Sequence, residues 1–191
     1  MDTYNYLLFI HICWYIIGLY WLVNAWNTKQ TVRKQNPALR WAYVLALVIS
    51  FELLYSPSQS IAWLRIQILP QNDISGIIGC SMCALGILFA IWARYTLGQN
   101  WSGNVTLKAG HELIRSGPYS IVRHPIYTGA LLAILGSACV TGELKGFIAV
   151  LVCFLGFLHK LRMEEDFMMA EFPDQYPDYR MKVKMLIPFI F

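Results

Sequence analysis

The chain is short of charge. Asp, Glu, Lys and Arg make up 14% of its 191 residues, against about 25% in an ordinary soluble domain. With 57% hydrophobic residues and a mean hydropathy of +0.48, it has too little polar surface to face water all round. It also lacks the alternating apolar and polar segments of about ten residues that a transmembrane β-barrel requires. Cysteines in polar surroundings are missing too. Cys13, Cys80, Cys83, Cys139 and Cys153 all fall inside apolar segments, where a thiol is kept protonated. The Cys80-x-x-Cys83 pair therefore reads as packing rather than redox or metal chemistry, and no metal site is expected. No positive residue precedes the first apolar run, so that run does not read as a cleavable leader.

What is present is a series of apolar runs of 15 to 21 residues, each with at most one formal charge. They fit spanning helices. Tyr6–Trp26 carries aromatics at both ends, as interfacial anchors do. A second run spans Trp41–Tyr55, with Pro57 just beyond it, and Ile61–Leu69 either extends it past a kink or lies along the surface. The third, Ile74–Ala93, repeats Gly79, Cys83, Gly86 and Ala90 on one face. The fourth, Ile126–Val140, repeats Gly129, Ala133 and Ser137. Small-residue faces of this kind let helix backbones approach closely. Thr141-Gly142-Glu143 then turns into the fifth run, Leu144–Leu158. The last two runs are short for a full crossing at about 1.5 Å per residue, so they are expected to continue into flanking polar helix.

The fold class expected is all-α, a polytopic bundle of about five transmembrane helices forming a single domain over residues 1–191. Residues 1–97 form the scaffold, and residues 98–191 supply a polar loop, a helical hairpin and a tail. Charge sets the orientation. With the N-terminus outside, thirteen Lys and Arg residues face the cytoplasm and only Arg65 and Lys145 face out, a strong positive-inside bias. This placement explains the net charge of +4 without nucleic acid. It also leaves the sequons at Asn100 and Asn104 on the side where asparagine is not glycosylated.

Chemistry concentrates in Gly98–Tyr127, the longest polar passage of the chain, and in the tail. Arg115, Arg123 and His124 surround the Gly117-Pro118 turn, and Pro125 biases His124 away from helical geometry. An imidazole there and the Tyr127 phenol could meet a polar ligand. The spacing fits interfacial anchoring equally well. In the tail, Lys160 and Glu164 are four apart, as are Arg162 and Asp166. Such pairs stabilise a helix by about 0.2–0.5 kcal/mol each, yet charges emerging directly from a membrane run are either costly or sheltered in a polar cavity. Glu52 and His11, isolated in apolar runs, read as snorkelling or internally hydrogen-bonded groups.

The run Asn100-Trp101-Ser102, then Lys108-x-Gly110-His111-x-Leu113-Ile114-x-x-Gly117-x-Tyr119-x-x-Val122-Arg123-His124-Pro125-x-Tyr127-x-Gly129, resembles the isoprenylcysteine carboxyl methyltransferase family. Glu164-Glu165 followed by Phe172-x-x-x-Tyr176-x-x-Tyr179 and a late Pro188 matches as well. The resemblance covers about half the chain, from Gly98 onward. It implies S-adenosylmethionine bound in a pocket closed by loop and tail, with a lipid acceptor entering sideways from the bilayer. Carried over by position, His111, Glu112, Leu113, Ile114, Tyr119, His124, Pro125, Ile126 and Tyr127 would line the cofactor, and Glu164 would accept hydrogen bonds from its polar end. The family's substrate-side arginine falls on Lys160, with Arg162 nearby. A lysine cannot grip a carboxylate with a bidentate fork.

The resemblance makes a prenylated or similar lipophilic carboxylate the expected acceptor. A carboxylate needs no general base against an activated methyl group. Orientation and exclusion of water can then supply about 7–11 kcal/mol. An amine or thiol acceptor would need a proton taken up, for which Glu165 or His159 would serve. Two other readings stand beside this one: N-methylation of a phospholipid head group, and a non-catalytic lipid-binding module.

Overall fold

The computed structural model describes residues 3–25, 31–34, 37–55, 62–101, 106–108 and 112–191. Six helices follow one another: α1 Thr3–Val23, α2 Pro37–Tyr55, α3 Asp73–Leu97, α4 Pro125–Thr141, α5 Leu144–Glu171 and the short α6 Tyr176–Lys182. One element departs from the all-helical expectation. Two short strands, β1 Thr31–Lys34 and β2 Thr106–Lys108, pair antiparallel and tie the segment after α1 to the segment after α3.

Among the described residues, α1, α3 and α5 belong to helices long and apolar enough to cross a membrane, while Val44–Tyr55 of α2 and Pro125–Thr141 are shorter apolar helices. Of the last two apolar runs, the fourth does not continue into polar helix, since Pro125 starts α4 and Gly142 closes it, but the fifth does. At 28 residues, α5 is about 42 Å long, and its second half carries the charged tail sequence. The stretch before α3 is not an extension of α2. It forms a 3₁₀ turn over Ala62–Arg65 and then hydrogen-bonds to the α4–α5 turn, through Ile68 N–H to Gly142 O at 2.7 Å and Leu144 N–H to Ile66 O at 2.9 Å. Gly142 closes α4 at φ +66°, a left-handed geometry that glycine adopts without a Cβ penalty.

The small-residue faces of α3 and α4 pack on each other within this one chain. A Cβ added to Gly86 would sit 2.4 Å from Gly129 O, and one added to Gly136 would sit 2.5 Å from Gly79 O. The two backbones are therefore in direct contact, which is the geometry small-residue stripes permit. Ile10, Tyr6 and Cys13 of α1 pack over this pair, and the Tyr6 hydroxyl donates to Asp73 Oδ1 at 2.9 Å. On the other side α2 packs on α5, where the Ser50 hydroxyl donates to Ala149 O at 3.0 Å. Leu54, Ile134, Ala149, Phe157 and Leu161 form the second part of the core. Helices α1 and α2 thus lean on different partners. The space between them remains open toward the end of the bundle that carries α6.

Candidate functional site

Three hydrogen bonds tie the tail to the stretch from Tyr119 to His124. The backbone of Arg123 donates to Lys184 O at 2.8 Å, and that of His124 donates to Met185 O at 3.1 Å. The Tyr179 hydroxyl donates to Tyr119 O at 2.6 Å. Pro125 stands at the first turn of α4, where its missing N–H costs nothing, and so His124 is fixed as the residue just before the helix.

The Arg123 side chain is buried and acts as a clasp. Its Nε donates to Glu165 Oε1 at 2.7 Å, while its terminal nitrogens reach Glu165 Oε1, Arg180 O and Val183 O. Arg180 Nε adds a contact to Glu165 Oε2 at 3.5 Å. A buried arginine and glutamate satisfied this fully hold three segments in register: the start of α4, the second half of α5 and the residues around α6.

The adjacent glutamates divide. At 3.6 residues per turn, Glu164 and Glu165 point about 100° apart. The Glu165 side chain is 3% exposed and faces Arg123. Glu164 is 21% exposed and faces a cavity of about 690 Å³. Its Oε1 accepts a hydrogen bond from the Tyr127 hydroxyl at 2.8 Å and lies 3.7 Å from Lys160 Nζ. His124 stands between the two acids, with Nε2 3.3 Å from Glu165 Oε1 and Nδ1 3.7 Å from Glu164 Oε2. Lys160 also sits over the Tyr127 ring, 5.4 Å from its centroid. Phe157 closes edge-on against that ring at 4.9 Å.

The cavity is polar at this end and apolar away from it. Of the residues singled out in the sequence, Glu112, Leu113, Ile114, Tyr119, His124, Ile126, Tyr127, Lys160 and Glu164 line it. His111 lies outside the described residues. Three others stand off the cavity wall. Pro125 is buried at the helix start, and Glu165 is held in the clasp. Arg162 is exposed: two residues beyond Lys160, it points to the opposite side of α5. Of the two basic residues, Lys160 lines the cavity and Arg162 does not. His159 is exposed as well, away from the cavity. Glu52 is exposed, while His11 bonds through Nδ1 to Leu7 O at 2.7 Å.

Asn100, Trp101, Tyr176, Tyr179 and Arg123 line the same cavity. Their signal lay in the motif already quoted, most of whose described polar and aromatic positions line this one space, Glu165 and Phe172 excepted. Arg94 supports this rim. It is stacked 4.5 Å from the Trp101 ring centroid and donates to Gly98 O at 2.7 Å. The Tyr119, Tyr176 and Tyr179 phenols are buried, which pushes each pKa above the ordinary phenol value and keeps them neutral. No cluster of His, Cys, Asp and Glu suited to a metal ion occurs among the described residues.

A bundle of apolar helices with a cavity that is polar at one end and apolar at the other defines an integral-membrane protein. Comparison with known proteins gives its relationship. The family model described as phospholipid methyltransferase matches residues 74–175. The chain is 31% identical over 180 residues to the protein-S-isoprenylcysteine O-methyltransferase of Schizosaccharomyces pombe, covering 84% of this chain and 76% of that protein. It is 32% identical over 117 residues to the Saccharomyces cerevisiae protein of the same name, covering 60% of this chain and 49% of that one. A solved structure of a eukaryotic intramembrane Ras methyltransferase, isoprenylcysteine carboxyl methyltransferase, superposes with a TM-score of 0.57 at 29% identity, covering 83% of this chain and 55% of that chain. The chain belongs to the phospholipid methyltransferase family and is related to the isoprenylcysteine carboxyl methyltransferases. It spans about half the length of the budding-yeast relative and of the solved chain.

Proposed function

We propose that this chain transfers a methyl group from S-adenosylmethionine to the carboxylate of a lipophilic, isoprenylcysteine-like acceptor held in the membrane. The observation that carries the reading is the division of one cavity. Glu164, Tyr127, His124 and Lys160 gather at its polar end, and Trp14, Ile17, Leu47 and Phe51 line its apolar end. An amphiphile with a charged head and a hydrocarbon tail fits both halves.

The residues suit the donor. A buried carbonyl oxygen, Asn100 Oδ1, has no hydrogen-bond partner among the described residues, and Asn100 lines the cavity. Glu112 and Glu164 offer carboxylates to an ammonium or to sugar hydroxyls, and Trp101, Tyr119 and Tyr176 offer aromatic surface. When bound, S-adenosylmethionine supplies a methyl group already activated on a sulfonium. Lys160 provides one cation for an acceptor carboxylate, as a point charge rather than a fork, and its contacts to Glu164 and the Tyr127 ring fix where that charge sits. Trp101 and the tail stand at the rim, and alignment is the main thing the protein must provide.

The two groups expected to take a proton from an amine or thiol acceptor do not line the cavity. Glu165 is occupied by Arg123, His159 lies off the cavity, and both ring nitrogens of His124 face carboxylates. Phospholipid head-group N-methylation is the second reading, favoured by the family model. In both readings we take the site end to face the cytoplasm, a choice supported by the basic residues Arg94, Arg123, Lys160 and Arg180 at that end and by the positive-inside rule.

Membranes fed labelled methyl donor and then treated with mild base decide between the readings. Esters release labelled methanol, whereas methylated amines retain the label. Calorimetry with S-adenosylhomocysteine on detergent-purified protein tests the donor site, and absence of binding at millimolar ligand would sink the reading in favour of a lipid-binding module.

A further inference from the structure

A second cavity, of about 330 Å³, lies at the opposite end of the bundle, lined by Leu7 and His11 of α1, Leu54 and Tyr55 of α2, and the polar groups Arg65, Glu143 and Lys145. The large cavity reaches toward it and stops. In α1 the deepest lining residue of the large cavity is Trp14 and the nearest of the small one is His11; in α2 the two are Phe51 and Leu54. Each pair is three positions apart along its helix, about 4.5 Å. The partition between the cavities is therefore a single aromatic layer.

That layer is tied to α4 through Trp14. The Trp14 indole donates to Ser137 Oγ at 3.0 Å, and Ser137 in turn donates to Ala133 O at 2.9 Å. Phe51 meets Trp14 edge-on at 4.9 Å. Tyr55 continues the layer, 6.0 Å from Phe51 and 4.9 Å from His11, but its buried hydroxyl has no hydrogen-bond partner among the described residues. Above the layer the wall carries a gap. Gly18, one turn of α1 nearer the polar end, lines the large cavity, and a Cβ added there meets nothing within 4 Å.

We propose that Trp14, backed by Phe51, is the floor that sets the length of the acceptor's hydrocarbon chain, and that Gly18 keeps the path to that floor open. The proposal rests on the acceptor class proposed above. An apolar tail anchored by a head group at Lys160 and Glu164 runs down the large cavity and ends on the indole. Chains too long for the floor must fold back or leave the bundle through the α1–α2 gap.

The test uses the full chain in detergent and N-acetyl cysteines carrying S-geranyl, S-farnesyl and S-geranylgeranyl groups. Both calorimetric binding and methyl transfer are measured for the wild type and for Trp14→Ala, Phe51→Ala and Gly18→Leu. Trp14→Ala joins the two cavities, so the preference for a chain one isoprene unit longer should rise by roughly 10-fold or more, the scale on which a pocket resolves chain length. Gly18→Leu narrows the path about 6 Å above Trp14 and should move the preference toward the shortest chain by a similar factor. It adds a side chain into open space, so it remains informative if Trp14→Ala does not fold. Unchanged length profiles in Trp14→Ala and Gly18→Leu would overturn the proposal. If the wild type binds the series and the variants shift its length preference, yet no methyl is transferred, the proposed reaction fails and the floor stands. Failure to bind any prenyl chain would overturn both.

Discussion

Glu164 and Glu165 are neighbours of the same chemistry, and the structure gives them different work. Glu165 is 3% exposed and neutralises buried Arg123. Removing one partner of a buried pair costs about 3–5 kcal/mol, because the other charge is left uncompensated. Glu165→Gln keeps the shape and removes the charge. Arg123 retains the carbonyls of Arg180 and Val183, which places the expected loss near the lower end, about 3 kcal/mol. For a chain of 191 residues each kcal/mol shifts the unfolding midpoint by about 2–4 °C, so the midpoint should fall by about 6–12 °C in detergent. Glu164→Gln, by contrast, removes a partly exposed carboxylate whose contact to Lys160 is 3.7 Å long. Pairs of that kind contribute at most about 1 kcal/mol. It should lower affinity for S-adenosylhomocysteine strongly and move the midpoint by only a few degrees. Thermal unfolding and calorimetry on the two variants, with Arg123→Leu/Glu165→Leu as a pair replaced by apolar groups, complete the comparison. If Glu165→Gln melts with the wild type, or Glu164→Gln binds ligand as the wild type does, the division of roles is wrong.

Other outcomes follow from the same geometry. Gly86→Val drives a side chain into Gly129 O and should cost at least about 1–3 kcal/mol, visible as a lower unfolding midpoint, whereas Gly18→Ala should be neutral or stabilising by up to about 1 kcal/mol. Lys160→Ala should raise the KM for the acceptor without changing affinity for S-adenosylhomocysteine, and Lys160→Arg should restore it. Tyr119, Tyr176 and Tyr179 are neutral in the fold with pKa values raised by burial. Their contribution is therefore complete below the unfolded phenol value near 10 and lost as pH rises above it toward the folded values. A pH series of unfolding midpoints should be free of any loss from these phenols through neutrality and show one only in strong alkali. Tyr179→Phe leaves Tyr119 O unsatisfied and should cost about 1–3 kcal/mol.

Much of the molecule was legible before any coordinates. The shortage of charge excluded a soluble domain, helix-length apolar runs fixed the class, and the glycine and alanine stripes of the third and fourth runs announced a close backbone contact. Those are local properties, written in composition and in a period of 3.6 residues. The motif from Asn100 to Gly129 and the paired glutamates pointed to the site, and most of their side chains do line one cavity. The short strand pair at Thr31–Lys34 and Thr106–Lys108 was not anticipated, since its pairing joins segments far apart along the chain.

What the sequence by itself determined, then, is membrane residence, helical architecture and the set of polar groups available for chemistry. The tertiary structure decided which of them share a space. Helical spacing says that Lys160 and Glu164 lie on one face and Arg162 on another, but the rotation that turns the first face into the cavity is set by α5 packing on α2 and α4. The same rotation aims Glu165 at Arg123. It also takes tertiary packing to bring Trp14, Phe51 and Ser137 together, because residues from three helices become one layer only when those helices dock.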